Sequence, residues 1–270
     1  MKQLVFIIFL FIYSSRLLSQ ELFVFTEPAS NMAAKSVGVR MMNMFGTEGT
    51  NKKINYHIMP EIMMGVNNKF MFHLQGFLSD VNNSFTAEGG SFYAKYRFLS
   101  NDDVHQHFRM ALFGKASYNN ALLHQEEIET SGHNSGFEGG LVATQLIHKV
   151  ALSSSVSFEN AIFNNVPPDR ETQPNNALNY TLSVGRLMLP KEYTNYKQTN
   201  MNLMVELLGQ KLVGSGKNFI DIAPSIQFII NSVARVDLGC RTQLAGNMGR
   251  TSTTTYVIKL EYNFFSVWGN

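Results

Sequence analysis

In "ARVDLGCRTQL", residues 234–244, Arg235, Asp237, Arg241 and Gln243 fall on one face and Val236, Leu238, Cys240 and Leu244 on the other. Alternation with a period of two belongs to a β-strand, whose successive side chains point to opposite faces. About twelve such segments recur along the chain, at 36–45, 53–66, 69–79, 88–99, 107–119, 135–147, 150–163, 176–189, 200–212, 219–230, 233–245 and 253–265. Most are longer than an ordinary strand of about five or six residues. They match the roughly 9–11 residues that a tilted strand needs to cross a bilayer. Helical periodicity is almost absent.

The connections alternate in length. Asn67–Asn68, the turn around Asn101–Asp103, His148–Lys149 and Asn231–Ser232 form a tight set, to which the longer "PKEYTNYKQT" also belongs. Between them come "GTEGTNK", "DVNNSFTA", "NALLHQEEIETSGHN", "NNVPPDRETQPNN", "GSGKN" and "GNMGRT". Short turns at one end and longer loops at the other are the asymmetry of outer-membrane barrels, with the short turns on the periplasmic side. An even number of strands puts both termini there.

Alternation alone does not say which face is inside. One face carries residues such as Val39, Met41, Phe72, Leu74, Leu203, Val205, Ile226, Phe228, Ile258 and Leu260. The other carries Arg40, Lys95, Arg97, Arg109, Lys115, Glu138, Glu159, Glu206, Asp221, Arg235, Asp237, Arg241, Lys259 and Glu261. Strand length and loop asymmetry favour the inverted arrangement, with the apolar face toward lipid and these fourteen residues lining a wet lumen. Aromatic residues near strand ends agree, as interfacial girdles would require: Tyr56, Phe70, Phe98, Tyr118, Tyr180, Tyr262 and Phe264. Lipid also demands closure, because an open sheet edge there leaves backbone groups unsatisfied. The expectation is an all-β, transmembrane, antiparallel up-and-down barrel of about twelve strands.

The N-terminus supports export. Lys2, the apolar run Leu4–Tyr13 and then Ser14, Ser15 and Ser19 form a signal-peptide pattern over 1–19. The run is too short for a membrane-spanning helix, which needs about 20 residues. The barrel occupies 36–270. Residues 20–35 form a periplasmic lead-in, where Thr26, Glu27 and Pro28 suggest a short helical turn.

The 270-residue chain holds 22 Lys and Arg against 20 Asp and Glu, a balance that argues against a nucleic-acid partner. Its single cysteine, Cys240, excludes a disulfide framework. No phosphate-binding loop, dinucleotide glycine motif or HExxH occurs, and no cofactor is expected.

Segments such as "ELFVFTEPASNMAAKSVGVR", "GSFYAKYRFL", "EGGLVATQLIHKVALS", "IDIAPSIQFI" and "IKLEYNFF" resemble uncharacterised outer-membrane barrels of Bacteroidetes-type bacteria. These are similar to the family named for the MetA pathway of phenol degradation. The resemblance implies a Gram-negative outer-membrane protein that moves small, often hydrophobic compounds, and it carries no catalytic residue.

Two other chemistries were weighed. His133 and Ser135 in "SGHNSGF" have the H-x-S spacing of outer-membrane phospholipase A, and the strand phase puts both on the lipid side with Phe137. The sequence lacks the Asn-Gly pair that follows in that enzyme, and a non-enzymatic barrel is expected. Methionine is abundant, with 14 residues. The phase puts Met42, Met44, His57, Met59, Met63, Met71 and His73 on the lumen side, and thioethers with imidazoles suit Cu(I) or another soft metal. Methionine equally fills irregular space. The leading expectation is a barrel that passes or binds a small solute through a constricted, charged lumen. A metal-handling barrel and a purely structural barrel are the alternatives. The solute and any oligomeric state are not legible.

Overall fold

The computed structural model describes residues 23–48, 53–80, 84–103, 106–121, 125–162, 174–192 and 197–268. The expected signal peptide lies outside them. The described residues form twelve strands: β1 (Ser36–Glu48), β2 (Lys53–Gly65), β3 (Phe70–Ser79), β4 (Thr86–Asp102), β5 (Gln106–Asn119), β6 (Gly136–Ile147), β7 (Val150–Ala161), β8 (Asn176–Leu189), β9 (Asn200–Leu212), β10 (Asn218–Ile230), β11 (Ala234–Gly246) and β12 (Thr254–Phe264). Each pairs antiparallel with its neighbours in sequence. β1 pairs with β12, from Val37 opposite Phe264 to Gly46 opposite Thr255, and closes the barrel.

Strands run from 10 to 17 residues, long enough to cross a bilayer at a tilt. The longest, β4, overruns its expected end because the pairing with β5 slips between Arg97 and Leu99. That bulge leaves Phe98 without an opposite residue. At the short-turn end the sequence chemistry is plain. The Asn67 side chain accepts from the amides of Lys69 and Phe70. Asn231 and Ser232 adopt the left-handed backbone, φ 53° and 59°, a region that asparagine tolerates better than most residues.

The faces are inverted relative to a water-soluble barrel. Val39, Leu74, Leu182 and Leu238 point outward and are 48, 51, 50 and 42% exposed. Arg40, Glu206, Asp237 and Lys259 point inward and are 6, 0, 0 and 2% exposed. An exterior of branched aliphatic side chains around a charged interior is stable only when the outside solvent is hydrocarbon. Phe70, Phe98, Tyr262 and Phe264 stand exposed at the short-turn end, and Tyr118 and Phe137 at the other. Tyr56 departs from the girdle expectation. It is half-buried, gives its hydroxyl to Asn43 Oδ1 at 2.7 Å and stacks on Phe45 at 4.8 Å.

The short helix expected in the lead-in is absent. Residues 23–33 run through bends and irregular backbone inside the barrel, before a turn at 34–35. The reason is hydrogen bonding. The Pro28 and Ser30 carbonyls, which a helix begun at Thr26 would give to amides one turn later, accept from Lys95 of the wall instead. The lead-in then turns across the rim beside Gly65, where a Cβ would stand 2.2 Å from the Ala33 carbonyl oxygen. A glycine is needed for the chain to pass that closely.

Candidate functional site

The register of β2, β1, β12 and β11 lays inward charges side by side. Arg40 is opposite both Glu61 and Glu261, Arg235 is opposite Glu261, and Asp237 is opposite Lys259. Strands about 4.8 Å apart bring such residues within reach. Arg40 meets Glu61 at 3.1 Å and Glu261 at 2.9 Å. Arg235 meets Glu261 at 2.7 Å and Asp237 at 3.2 Å, and Lys259 meets Asp237 at 3.4 Å. His73 Nδ1 extends the chain to Glu61 at 2.6 Å. Alternating sign keeps each buried charge compensated, which the low-dielectric wall demands.

Two other inward acids also take partners from outside the wall. Asp221 binds Arg241 at 2.5 Å and Arg250, from the β11–β12 loop, at 2.8 Å. Glu206 binds the lead-in. It accepts the amides of Val24, Phe25 and Thr26 at 2.9, 3.0 and 2.9 Å and the Thr26 hydroxyl at 2.6 Å.

The lead-in is thereby a plug. Lys259 donates to the carbonyls of Phe23 and Val24 at 3.2 and 3.0 Å. Thr144 Oγ1 accepts the Ala29 amide at 2.9 Å. Lys95 donates to the carbonyls of Pro28 and Ser30, both at 2.8 Å, and pairs with Glu27 at 3.1 Å. Arg109 reaches Ser30 at 3.0 Å and also pairs with Asp102. Arg97 lies half-buried beside these two.

A second insert comes from the opposite end. The β5–β6 connection folds into the lumen, where the Gln210 side chain brackets Ile128, accepting its amide at 2.9 Å and donating to its carbonyl at 2.7 Å. Glu159 accepts the Thr130 amide at 2.7 Å. Glu127 is clamped by Arg241 at 2.8 Å and Arg250 at 2.6 Å, and Arg250 lies over the Phe219 ring at 4.1 Å. Lys115 pairs with Glu138 at 2.8 Å alongside. Within the connection, Glu129 pairs with His133 at 2.9 Å. Burial opposes the charge on both. For Glu129 the His133 bond and charge, with Arg241 and Arg250, outweigh burial and hold the carboxyl at about 2. For His133 the Glu129 bond, with Glu127 and Glu88, outweighs it and raises the imidazole above its ordinary value.

Between plug and loop lies a cavity of about 300 Å³, at the small end of the ~300–1,000 Å³ typical of ligand pockets. Thr26 and Glu27 of the plug, Glu127 and Glu129 of the loop, and Lys115 and Phe113 of the wall line it. The interior is therefore constricted from both ends, and its open space carries both signs of charge beside aromatic surface.

The methionines and histidines considered for a soft metal fall into two groups. Met63 and Met71 pack with Met32 of the plug. Met42 and Met44 pack against the cluster around Phe23 and Val24 and line the cavity together with Met59 and His73. His73 is held by Glu61, and His57 lies against His133 at a ring separation of 5.1 Å. The inserted segments present irregular apolar surface, which unbranched thioethers fill well. No cluster of three or more His, Cys, Asp or Glu suited to a metal occurs among the described residues.

His133 and Ser135 do not face lipid. They precede β6, which begins at Gly136, so the strand phase does not reach them. His133 points into the lumen. Ser135 is 2% exposed and exchanges hydrogen bonds with the Asn119 backbone, accepting its amide and donating to its carbonyl, both at 2.9 Å. Glu27, Glu127, Glu129 and Arg250 were not foreseen in the lumen. For Glu127 and Glu129 the only sequence signal was an acidic run, "QEEIE", in one of the longest connections.

No protein-family model matches the chain, and no curated protein matches it in sequence. Among solved structures it is similar to the NanC porin, with a TM-score of 0.50 and 8% identity over 84% of this chain and 98% of that one. It is also similar to the KdgM porin, with a TM-score of 0.48 and 12% identity over 84% and 99%. The structure of KdgM in complex with disordered oligogalacturonate gives a TM-score of 0.45 and 10% identity over 85% and 99%. The closed twelve-strand wall, the lipid-type exterior and the likeness to NanC show that this chain has the fold of a porin-type, Gram-negative outer-membrane barrel.

Proposed function

We propose that this protein is an outer-membrane channel for a small solute, held closed at rest by its lead-in and by the β5–β6 loop. The observation that carries this reading is the cavity of about 300 Å³ trapped between the two inserts inside a polar lumen. A purely structural barrel of this width has no need of one. Phe113 and Phe25 offer the cavity apolar surface, which suits the small hydrophobic compounds implied by the resemblance to the MetA-pathway family. Met42, Met44, Met59 and His73 line the same cavity, and the metal reading has no support beyond that. Ser135, tied to backbone rather than to His133, gives the lipase reading none.

Planar-bilayer recording on the full chain tests the proposal. The expected record is a small conductance with long closures, because both inserts must shift for passage. A steady, wide conductance of the general-porin type, or no conductance under any voltage, would sink it. The protein should also fractionate with outer membranes and shift its gel position on heating; a mainly soluble pool would contradict the location.

A further inference from the structure

We propose that the seat of residues 23–30 is a binding site for a peptide in a bent conformation, occupied at rest by the chain's own lead-in. Wall groups address mainly the main chain here. Glu206 takes three successive amides, Lys259 takes the carbonyls of Phe23 and Val24, Thr144 takes the Ala29 amide, and Lys95 takes the carbonyls of Pro28 and Ser30. Glu206, Lys259 and Lys95 are at most 2% exposed. Elsewhere in the lumen buried charges pair mainly with one another, whereas Glu206 and Lys95 spend their hydrogen bonds chiefly on peptide groups. Any peptide presents the same donors and acceptors, so this part of the recognition does not depend on sequence.

Sequence preference comes from two seats for aromatic rings. Phe23 lies against Gly185, where a Cβ would stand 3.4 Å from its Cε1, and Phe25 lies against Gly239, with a Cβ 3.4 Å from its Cε2. A methyl group would only touch each ring at these distances, whereas a larger side chain would displace it. Met204, Ala151 and Val257 complete the cluster around Phe23. Thr26 adds a hydroxyl that both Glu206 and Ser183 engage, at 2.6 and 3.0 Å. The ligand class is thus a short, bent peptide with aromatic residues two apart, followed by a hydroxyl residue. The inference deepens the channel reading by naming a solute class, and for permeation it rests on that reading; binding stands without it.

A tethered occupant competes at an effective concentration in the millimolar range, so the intact chain should take up a free peptide poorly. The test uses the full chain with Phe23→Ala and Phe25→Ala, in detergent, folded as judged by the heat-dependent gel shift. Its probe is a fluorescent peptide of sequence FVFTEPAS, followed by anisotropy. Binding at least tenfold tighter than to the unaltered chain, and at least tenfold tighter than a scrambled peptide, is expected. Adding Glu206→Gln or Gly185→Leu to the variant should reverse the gain. Equal binding of the scrambled peptide, or no saturable binding to the folded variant, would overturn the proposal. Current through the same variant separates the two readings. Binding without any current supports the peptide site and removes the channel; current that the peptide never blocks, with no binding, removes the peptide site and leaves the channel.

Discussion

The Glu206 carboxylate accepts the Thr26 hydroxyl at 2.6 Å, across 180 residues of chain. One wall acid thereby holds the plug by its hydroxyl and by three consecutive amides.

Glu206→Gln should loosen the plug. A neutral amide accepts more weakly than a carboxylate, and bonds to charged groups contribute about 1.5–3 kcal/mol each. Losing even one of this size corresponds to roughly tenfold or more in the closed-to-open ratio. Open probability in planar bilayers should rise by that order. An unchanged record with a correctly folded barrel would show that the plug does not gate.

Arg40 sits between Glu61 and Glu261. Arg40→Met leaves two buried carboxylates without the cation between them, which should destabilise the barrel by about 3–5 kcal/mol. Changing all three to apolar residues of similar size should cost far less. Urea unfolding in lipid, read by the gel shift, compares the two. Similar losses would mean that packing matters here and charge does not.

Val156 and Ser155 are neighbours in the middle of β7, one facing lipid at 45% exposure and the other lining the cavity. Val156→Arg should cost about 2–4 kcal/mol at bilayer mid-depth. Ser155→Arg places the same charge in the cavity and should cost much less. Equal costs would refute the assigned facing.

The β5–β6 loop should loosen as pH rises. His133 titrates above its ordinary 6.5 in the folded state, so its contribution is full below pH 6.5 and is lost as pH climbs through the raised value. Glu129 behaves oppositely. Held at about 2 instead of 4.5, it contributes fully above pH 4.5 and loses its effect only as pH falls toward 2. His57, Glu127, Glu88, Arg241 and Arg250 face the pair, so the histidine sets the alkaline limb. Channel opening should increase from pH 6.5 upward, and His133→Gln should flatten the profile. An increase that survives this change would assign the effect elsewhere.

Strand positions, the closed barrel and the inward or outward facing of residues such as Leu238 and Asp237 were legible in the sequence, because period-two alternation is a local property and lipid inverts its meaning uniformly along every strand. The ion chain from Arg40 to Asp237 was half legible. Opposite charges on adjacent strands signalled pairing, but the Cα register chose the partners. The plug and the inward loop were not legible. "FVFTEPAS" carries a plausible helix start, and only the placement of Glu206, Lys259 and Lys95 around it sends its amides and carbonyls to the wall. "QEEIE" reads as a solvated loop until Arg241 and Arg250 reach it from β11 and the loop beyond. Local pattern decides which way a side chain points. Contacts between residues a hundred or more positions apart decide what fills the space it points into, because closing the barrel is what creates that space.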